Sequence, residues 1–298
     1  MNITILGTSS MVPTKDRNVS SVYIEIQGEG ILFDCGEGTQ RQMNIAGLNR
    51  NKIKYIFISH WHADHMAGLL GLIQTIQNNG VEGLIIFGPK GSEKHMKHIM
   101  QSSIFDEQMH IETREFDCKE ETVILNKKNF SVSAINLEHG VPCLGFALKE
   151  ATKRKVLSSK LQKEGLPQGP LYAELQEGKK VTFEGKTFDP KAYTKKVPGK
   201  KIVYITDTAF VAETIALAKD ADLLLAESTY CMKHEDKAEE YNHMTSTQSA
   251  QIASHANVKK LVLTHISQRY KSTEDLLQEA QDIFPQTELA FDFMKISL

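Results

Sequence analysis

The feature that most constrains this chain is the run at residues 60–65, which reads His-Trp-His-Ala-Asp-His. It follows the apolar residues 53–58, which predict a buried strand, and it precedes a helical pattern that begins at Met66. Three imidazoles and a carboxylate therefore lie in one tight turn between a strand and a helix. These groups are the ligands that borderline and hard divalent metals prefer, with zinc the commonest case.

The spacing within this run predicts two metal ions rather than one. Neighbouring side chains point in different directions, so Asp64 and His65 cannot join His60 and His62 on the same ion. We therefore expect His60 and His62 to serve one ion, and Asp64 and His65 to serve a second ion beside it. The alternative is a polar surface turn that happens to be rich in histidine. Three of the chain's 11 histidines lie within these six residues, a density that favours the metal site.

Other His and Asp residues stand directly after apolar runs that predict strands. These residues are Asp34, His139, Asp207 and His265. The strand ends along one edge of an α/β sheet converge, and ligand sites form there. Each residue alone would more often be a satisfied polar group. Because all four stand at equivalent positions, we expect them to join the cluster at residues 60–65.

Composition places the chain among globular proteins without a membrane span. It has 298 residues, of which 41% are hydrophobic and 24% charged. We find no run of about 18 apolar residues, and residues 1–7 read as a strand rather than a signal peptide. Four cysteines are widely scattered and form no CxxC pair. We therefore expect free thiols, a cytoplasmic location and no membrane partner.

The charge distribution matters more than the net charge of −2, which by itself argues against a nucleic-acid partner. Residues 149–201 contain 14 Lys and Arg against six Asp and Glu, a local charge of +8 that leaves −10 on the remainder. The segment has little apolar periodicity. We expect a basic arm with little apolar core, inserted into an acidic body. A solvated lysine-rich loop is the alternative.

With these residues in this order, the chain resembles the metallo-β-lactamase superfamily. The resemblance implies an α/β fold, a four-layer αβ/βα sandwich formed by one domain over residues 1–298. A flexible basic arm would be inserted at residues 152–196. It also implies two Zn²⁺ ions per subunit. The implied ligands are His60, His62 and His139 for the first zinc, Asp64, His65 and His265 for the second, and Asp207 between them, with Asp34 supporting the site.

Further stretches narrow the resemblance to the ribonuclease Z family, which matures the 3′ end of tRNA. Residues 13–18 resemble its PxKxRN loop, residues 34–42 its DxGEGTQxQ motif, residues 165–178 the GP motif of its tRNA-binding arm, and residues 243–245 its catalytic-histidine segment. The implied substrate contacts are Lys15, Arg17, Asn18, Gly169 and Pro170. One departure is visible. Residues 226–229 read Ala-Glu-Ser-Thr where many relatives have His-Glu-Ala-Thr, so any role of that first histidine is absent.

The implied activity is removal of the 3′ trailer from precursor tRNA, leaving a 3′-hydroxyl on the tRNA. Asp64 would both bind zinc and accept the proton of the attacking water. The departing ribose alkoxide is a poor leaving group that needs a proton, and His243 is the expected donor. Glu227, at a strand end, is the expected carboxylate that orients His243. The resemblance also suggests a homodimer.

Two other classes of function compete with this interpretation. The metal cluster alone fits equally well a hydrolase of the same fold that acts on a small-molecule ester, lactone or thioester. Residues 13–18 and 165–178 favour the tRNA-processing enzyme over such a hydrolase, because a small-molecule hydrolase would not need them. The second competitor is an RNA-binding protein with a structural zinc site. A structural site would be closed and mononuclear, whereas the ligand set here suffices for two ions.

Overall fold

The computed structural model describes residues 1–104 and 108–298. The chain forms two compact units. The first contains Met1–Asn126, Val132–Leu148 and Lys201–Leu298, and the second contains Lys127–Ser131 and Lys149–Lys200. The segment predicted as an inserted arm, residues 152–196, falls within the second unit. Among the described residues, no helix has both the length and the apolar character that a membrane span requires.

The first unit is built on two seven-stranded sheets. In spatial order, the strands of the first sheet are β20 (Lys295–Ser297), β1 (Asn2–Gly7), β3 (Ser21–Ile26), β4 (Glu29–Phe33), β5 (Ile53–Phe57), β6 (Gly83–Pro89) and β7 (His110–Phe116). Strands β4 to β7 are mutually parallel, and Phe33, Phe57 and Phe87 lie side by side across three of them. The carboxyl ends of these strands therefore meet at one edge. The short strands β2 (Ser9–Ser10) and β18 (Ile266–Ser267) pair in parallel with each other.

The second sheet supplies a matching set of parallel strands. In spatial order its strands are β19 (Thr287–Leu289), β17 (Leu261–Thr264), β16 (Leu223–Glu227), β15 (Lys201–Ile205), β10 (Pro142–Glu150), β9 (Phe130–Glu138) and β8 (Thr122–Asn126). Strands β15, β16, β17 and β19 are parallel. Their sequences are almost wholly apolar and buried, as expected for strands covered on both faces.

Helices cover the outer face of each sheet, while aromatic rings fill the space between the sheets. Helices α1 (Thr39–Ile45), α3 (Leu69–Gln77) and α4 (Ser92–Gln101) share one apolar cluster with the first sheet. Helices α8 (Ala212–Ala218), α10 (Ser246–His255) and α11 (Glu274–Gln281) share another with the second sheet. Between the sheets, the Phe33 ring stacks on Phe146 at 5.6 Å and on Tyr204 at 5.5 Å. The predicted four-layer sandwich is confirmed.

The first unit also contains two short helices, α2 (Ala63–Met66) and α9 (Glu235–Glu240). The helix that the sequence places from Met66 is interrupted, because α2 ends there and α3 begins at Leu69. The cause is a close backbone approach at Gly68, whose N–H donates to the Cys35 carbonyl at 2.9 Å. A Cβ atom at Gly68 would lie 2.2 Å from the Gly36 carbonyl oxygen, so only glycine fits there.

The second unit has its own elements and its own small core. Its elements are β11 (Lys153–Val156), α5 (Ser158–Lys163), α6 (Leu171–Gln176), β12 (Val181–Phe183), β13 (Lys186–Phe188), α7 (Pro190–Tyr193) and β14 (Thr194–Val197). Strand β11 pairs with β14, and β12 with β13, both antiparallel. Buried side chains form the core: Leu161, Leu166, Tyr172, Leu175, Val181 and Phe188. The expectation of little apolar core in the arm is therefore wrong, because its apolar residues are divided among elements too short to show periodicity.

Candidate metal centre

The predicted metal-binding side chains meet where parallel strands of both sheets end. Asp34 directly follows β4, and His60 stands three residues after β5. On the second sheet, Asp207 and His265 follow β15 and β17, and Glu227 is the last residue of β16. The structure thus brings together groups that are far apart in sequence, as the strand-end argument predicts.

The side chains form two groups that share Asp207. The ligand atoms within each group lie within 4.8 Å of one another, and the groups are His60, His62, His139 and Asp207, and Asp64, His65, Asp207 and His265. Asp207 Oδ2 lies 3.7 Å from His60 Nε2 and 3.5 Å from His139 Nε2. Its other oxygen, Oδ1, lies 3.4 Å from His65 Nε2 and 3.2 Å from His265 Nε2. Each oxygen of Asp207 therefore faces one group, and the bridging role implied by the resemblance stays a prediction.

Hydrogen bonds behind the imidazoles fix which ring nitrogen faces the centre. His65 Nδ1 lies 2.7 Å from Asp34 Oδ2, and His139 Nδ1 lies 3.0 Å from the Asn242 carbonyl oxygen. A carbonyl oxygen accepts only, and so does an ionised carboxylate, so both Nδ1 atoms carry a proton and each Nε2 is the ring nitrogen that faces the centre. Such partners orient metal-ligating histidines. With the Nε2 atoms of His65 and His139 facing inward and carboxylate oxygens beside them, the donor set fits divalent metal ions.

Burial and charge favour the protonation states that metal ligands need. Burial and the neighbouring His65 lower the pKa of His60 well below its usual value, and burial and His139 lower the pKa of His62. Both rings are therefore neutral. Burial of Asp207 opposes its charge, but the neighbouring His265 and His65 outweigh burial and hold the pKa of Asp207 well below its usual range. Burial also lowers the pKa of His65, but Asp207, Asp34 and Asp64 outweigh burial and raise it well above its usual value. His60 and His62 thus offer neutral imidazoles and Asp207 an ionised carboxylate, whereas a metal ion must displace a proton from His65.

Asp34 lies outside both ligand groups and contacts one of them through His65. Its Oδ1 accepts from the Ser59 backbone N–H at 2.7 Å, and its Oδ2 accepts from the Tyr204 hydroxyl at 2.8 Å. The residue has a φ of 56°, a strained conformation that these contacts hold in place. The position agrees with the supporting role implied by the resemblance, which stays a prediction. Tyr204 was missed by the sequence analysis, since a tyrosine inside an apolar strand gives no signal of a polar role.

His243 lies beside the two groups and is paired with Glu227. Its Nδ1 is 3.1 Å from both carboxylate oxygens of Glu227, and its Nε2 is 4.0 Å from Asp207 Oδ2. Burial lowers the pKa of His243, but the Glu227 carboxylate outweighs burial and raises it to about 9. The imidazole is therefore protonated at neutral pH, as a proton donor must be. The roles predicted for His243 and Glu227 stay predictions.

The backbone N–H of His243 donates to the Ala238 carbonyl oxygen at 2.8 Å, two residues before the N-cap of α10. Thr245 caps this helix with a reciprocal capping box. Its side chain accepts from the Gln248 N–H, and the Gln248 side chain accepts from the Thr245 N–H.

Thr229 is a further site residue that the sequence did not reveal. Its hydroxyl donates to Glu227 Oε2 at 2.6 Å and lies 2.9 Å from His265 Nδ1. Its place in the run 226–229, beside Glu227, was the available signal.

Of the residues predicted to contact substrate, Lys15, Arg17 and Asn18 belong to the first unit but to neither ligand group. Lys15 is exposed, with its only ion pair among the described residues to Asp16 at 3.4 Å. Arg17 Nη1 donates to Thr8 Oγ1 and to the Ala290 carbonyl, both at 2.8 Å. Asn18 Nδ2 donates to the Glu37 carbonyl oxygen at 2.7 Å. Arg17 and Asn18 thus hold their loop to the first unit. Gly169 and Pro170, the remaining predicted contacts, lie in the second unit just before α6.

The metal centre opens onto a cavity of about 840 Å³. Its walls include His62, Asp64, His243, Tyr230 and Arg269. The Arg269 guanidinium lies over the Tyr230 ring, 4.6 Å from the centroid. The ring is buried beneath this guanidinium, and a guanidinium binds phosphate. The cavity is therefore suited to a nucleic-acid phosphodiester.

Comparison with known proteins agrees with this geometry. Residues 14–107 match the family model of the metallo-beta-lactamase superfamily, and residues 174–266 match that of a beta-lactamase superfamily domain. A metallo-beta-lactamase fold protein from Bacillus subtilis aligns with a TM-score of 0.72 over 99% of both chains at 18% identity, which shows the fold alone. The chain therefore has the metallo-β-lactamase fold, with clusters of His and Asp suited to divalent metal.

More similar relatives define the family within this superfamily. Ribonuclease Z of Prochlorococcus marinus (strain MIT 9301) is 39% identical over 307 residues, which cover 99% of this chain and 98% of that protein. Ribonuclease Z of Archaeoglobus fulgidus is 38% identical over 302 residues, covering 99% and 97%. The crystal structure of human tRNase Z, short form, aligns with a TM-score of 0.74 at 29% identity, covering 100% and 99%. The chain belongs to the ribonuclease Z family, and the resemblance drawn from its motifs is confirmed.

Proposed function

We propose that this protein is a zinc-dependent endoribonuclease that removes the 3′ trailer from precursor tRNA and leaves a 3′-hydroxyl on the tRNA. The observation that carries the proposal is the identity of 39% to a ribonuclease Z over 99% of this chain, a span that includes both ligand groups and the arm. A hydrolase of a small ester, lactone or thioester is not favoured, since it would need neither the loop at residues 13–18 nor the arm.

The donor set supports two zinc ions. In the proposal, one is held by His60, His62 and His139, the other by Asp64, His65 and His265, and Asp207 serves both. Two zinc ions would supply an acidified water and Lewis-acid stabilisation of charge on the phosphoryl oxygens.

The chain's own side chains move the protons. Asp64 lies in the second ligand group, and its carboxylate accepts the proton of the attacking water. Burial works against this charge, but His65 and His265 outweigh burial and lower the pKa of Asp64. His243 donates from Nε2 to the departing 3′ oxygen of the ribose. Glu227 holds the opposite nitrogen of that ring and keeps it charged, so a proton is available when the bond breaks.

The arm supplies phosphate contacts through lysines that lack acidic partners. Lys155 lies directly opposite Lys195 in the β11–β14 pair, a destabilising arrangement unless an anion lies between them. Within the described part of the chain, Lys155, Lys195 and Lys196 are exposed and make no ion pair. By contrast, three other lysines of the arm are neutralised: Lys179 by Glu177 at 2.7 Å, Lys180 by Asp189 at 3.2 Å and Lys186 by Glu164 at 2.8 Å. The ribbon of β11 and β14 is therefore the part of the arm suited to an RNA backbone.

We also propose that the protein is a cytoplasmic homodimer. All four cysteines are buried free thiols, which suits a reducing compartment. Light scattering on the eluted protein would measure the mass of the assembly. A single-chain mass of 33.4 kDa at working concentration would reject the dimer.

The direct test is the cleavage of one purified precursor tRNA that carries a 3′ trailer. We expect a single cut, a tRNA product with a 3′-hydroxyl, and loss of activity after metal chelation that zinc restores. Sequencing both products gives the position of the cut. The same preparation is assayed on lactones and thioesters as the control. Efficient turnover of those compounds with intact precursor tRNA would overturn the proposal.

A further inference from the structure

The loop at residues 10–18 contacts a metal-ligand candidate through a backbone N–H group near its start. The Met11 N–H donates to Asp64 Oδ2 at 2.7 Å, across 53 residues of sequence. The same oxygen lies 3.3 Å from His65 Nε2 and 3.4 Å from His265 Nε2, so it faces the second ligand group. Met11 has a φ of 64°, and its side chain is 74% exposed. Side-chain burial therefore does not account for this unusual backbone conformation, whereas the amide contact with Asp64 does.

The base of the loop is closed by its own hydrogen bonds. The backbone N–H groups of Thr8 and Ser9 both donate to the Asn18 carbonyl oxygen at 2.8 Å. The Ser9 hydroxyl donates to the Val12 carbonyl oxygen at 2.7 Å. The strand that leads into the loop is thus fixed to the residue that ends it, and the position of the base sets the position of Met11.

Asp292, near the end of the chain, anchors this base. Its Oδ1 accepts from the Thr8 hydroxyl at 2.8 Å, and its Oδ2 accepts from the Asn18 N–H at 2.7 Å. Gln42 Nε2 also donates to Oδ2, at 2.9 Å. Asp292 therefore connects the loop to Gln42, a motif residue that neither ligand group uses. A carboxylate with three such donors is well placed to hold a loop rigidly.

We propose that the Met11 amide positions Asp64, and that Asp292 is the positioning residue that holds the loop in place for it. The inference rests on the role proposed above for Asp64. An N–H group on Oδ2 restricts rotation of the carboxylate and occupies one lone pair, so the remaining lone pairs keep a fixed direction. The loop thereby acts on the chemical step, besides any contact it makes with RNA.

The test compares Asp292→Ala with a control variant, Asp282→Ala. Asp282 is an exposed residue of the same C-terminal segment, and its replacement removes the same charge. Loss of an outer partner of a metal ligand typically costs about 10–100-fold in activity or metal affinity. We expect kcat to fall by that factor for Asp292→Ala on both precursor tRNA and bis(p-nitrophenyl) phosphate. The KM for precursor tRNA should change little, and Asp282→Ala should match the unaltered protein. A loss confined to the KM for precursor tRNA would overturn the inference, because the loop would then act only in RNA binding.

A second pair of variants covers the case in which Asp292→Ala folds poorly. Met11→Gly keeps the N–H and suits a positive φ, whereas Met11→Pro removes the N–H and imposes a φ of about −65°. We expect Met11→Pro to lose kcat on the small diester and to release zinc faster to a chelator, while Met11→Gly stays close to the unaltered protein. Equal behaviour of the two variants would overturn the inference. Failure of the unaltered protein to cut precursor tRNA would reject the proposed function and leave the comparison on the small diester intact.

Discussion

The metal centre and the arm use charge in opposite ways. At the centre, Asp207 and Glu227 are buried, and each carboxylate lies close to imidazoles and polar hydrogens. In the arm, Lys155 and Lys195 face each other at the surface with no acidic partner among the described residues. Buried charges hold fixed geometry and are little affected by salt, whereas exposed charges are screened. We therefore expect the centre to serve the chemical step and the arm to serve substrate affinity.

The largest expected effect comes from Asp207, the residue shared by both ligand groups. Asp207→Ala should lose metal and all cleavage together, because it removes an oxygen from each group at once. Metal analysis should give two zinc equivalents per chain for the unaltered protein and fewer for the variant. A fully active protein with one stable ion per chain would contradict the two-ion site.

The next effect separates a proton donor from the metal ligands. His243→Ala should lose about 10²–10⁴-fold in the rate of precursor tRNA cleavage, the usual contribution of a general acid. It should keep both zinc ions, since His243 belongs to neither of the two ligand groups that share Asp207. The deficit should shrink on bis(p-nitrophenyl) phosphate, whose leaving group needs little protonation. Loss of zinc, or an equal deficit on both substrates, would show that His243 is not the leaving-group acid.

A smaller effect should appear in the arm as a change of salt dependence. Replacing Lys155, Lys195 and Lys196 by Ala should weaken precursor tRNA binding and make the log–log salt slope shallower by about 2, as three phosphate contacts are lost. Hydrolysis of the small diester should not change.

The matched control for this experiment is the triple Ala variant of the paired lysines Lys179, Lys180 and Lys186. It removes the same formal charge from the arm, but its lysines are already neutralised by carboxylates. Its salt slope should stay close to that of the unaltered protein. If both variants lose the same slope, the arm acts through its total charge and not through the β11–β14 ribbon.

The smallest effect concerns the pH profile. The Glu227 carboxylate outweighs burial and raises the pKa of His243 to about 9, so Glu227→Gln should lower it. His243 donates only when protonated, so the alkaline limb of precursor tRNA cleavage should move to lower pH in the variant, with a modest change at neutral pH. The small diester, which needs little protonation, should show no such displacement. An unmoved limb on precursor tRNA would contradict the assignment of Glu227.

What the sequence could predict were features with a local signature. The run at residues 60–65 is contiguous, and His139, Asp207 and His265 each follow a recognisable strand, so the ligand candidates could be identified before any fold was known. The excess of lysine in the arm is likewise visible by counting. These predictions depend on short-range periodicity and on the rule that parallel strands end at one edge.

Only the tertiary structure decided the contacts behind the site. Tyr204 bonds to Asp34 across 170 residues, Thr8 to Asp292 across 284, and Met11 to Asp64 across 53. No local sequence pattern predicts such pairs, because each depends on where two distant stretches of backbone lie in the folded protein. The small core of the arm was hidden for a related reason. Its apolar residues belong to several short elements, and only folding brings them onto one side, where burial removes them from water.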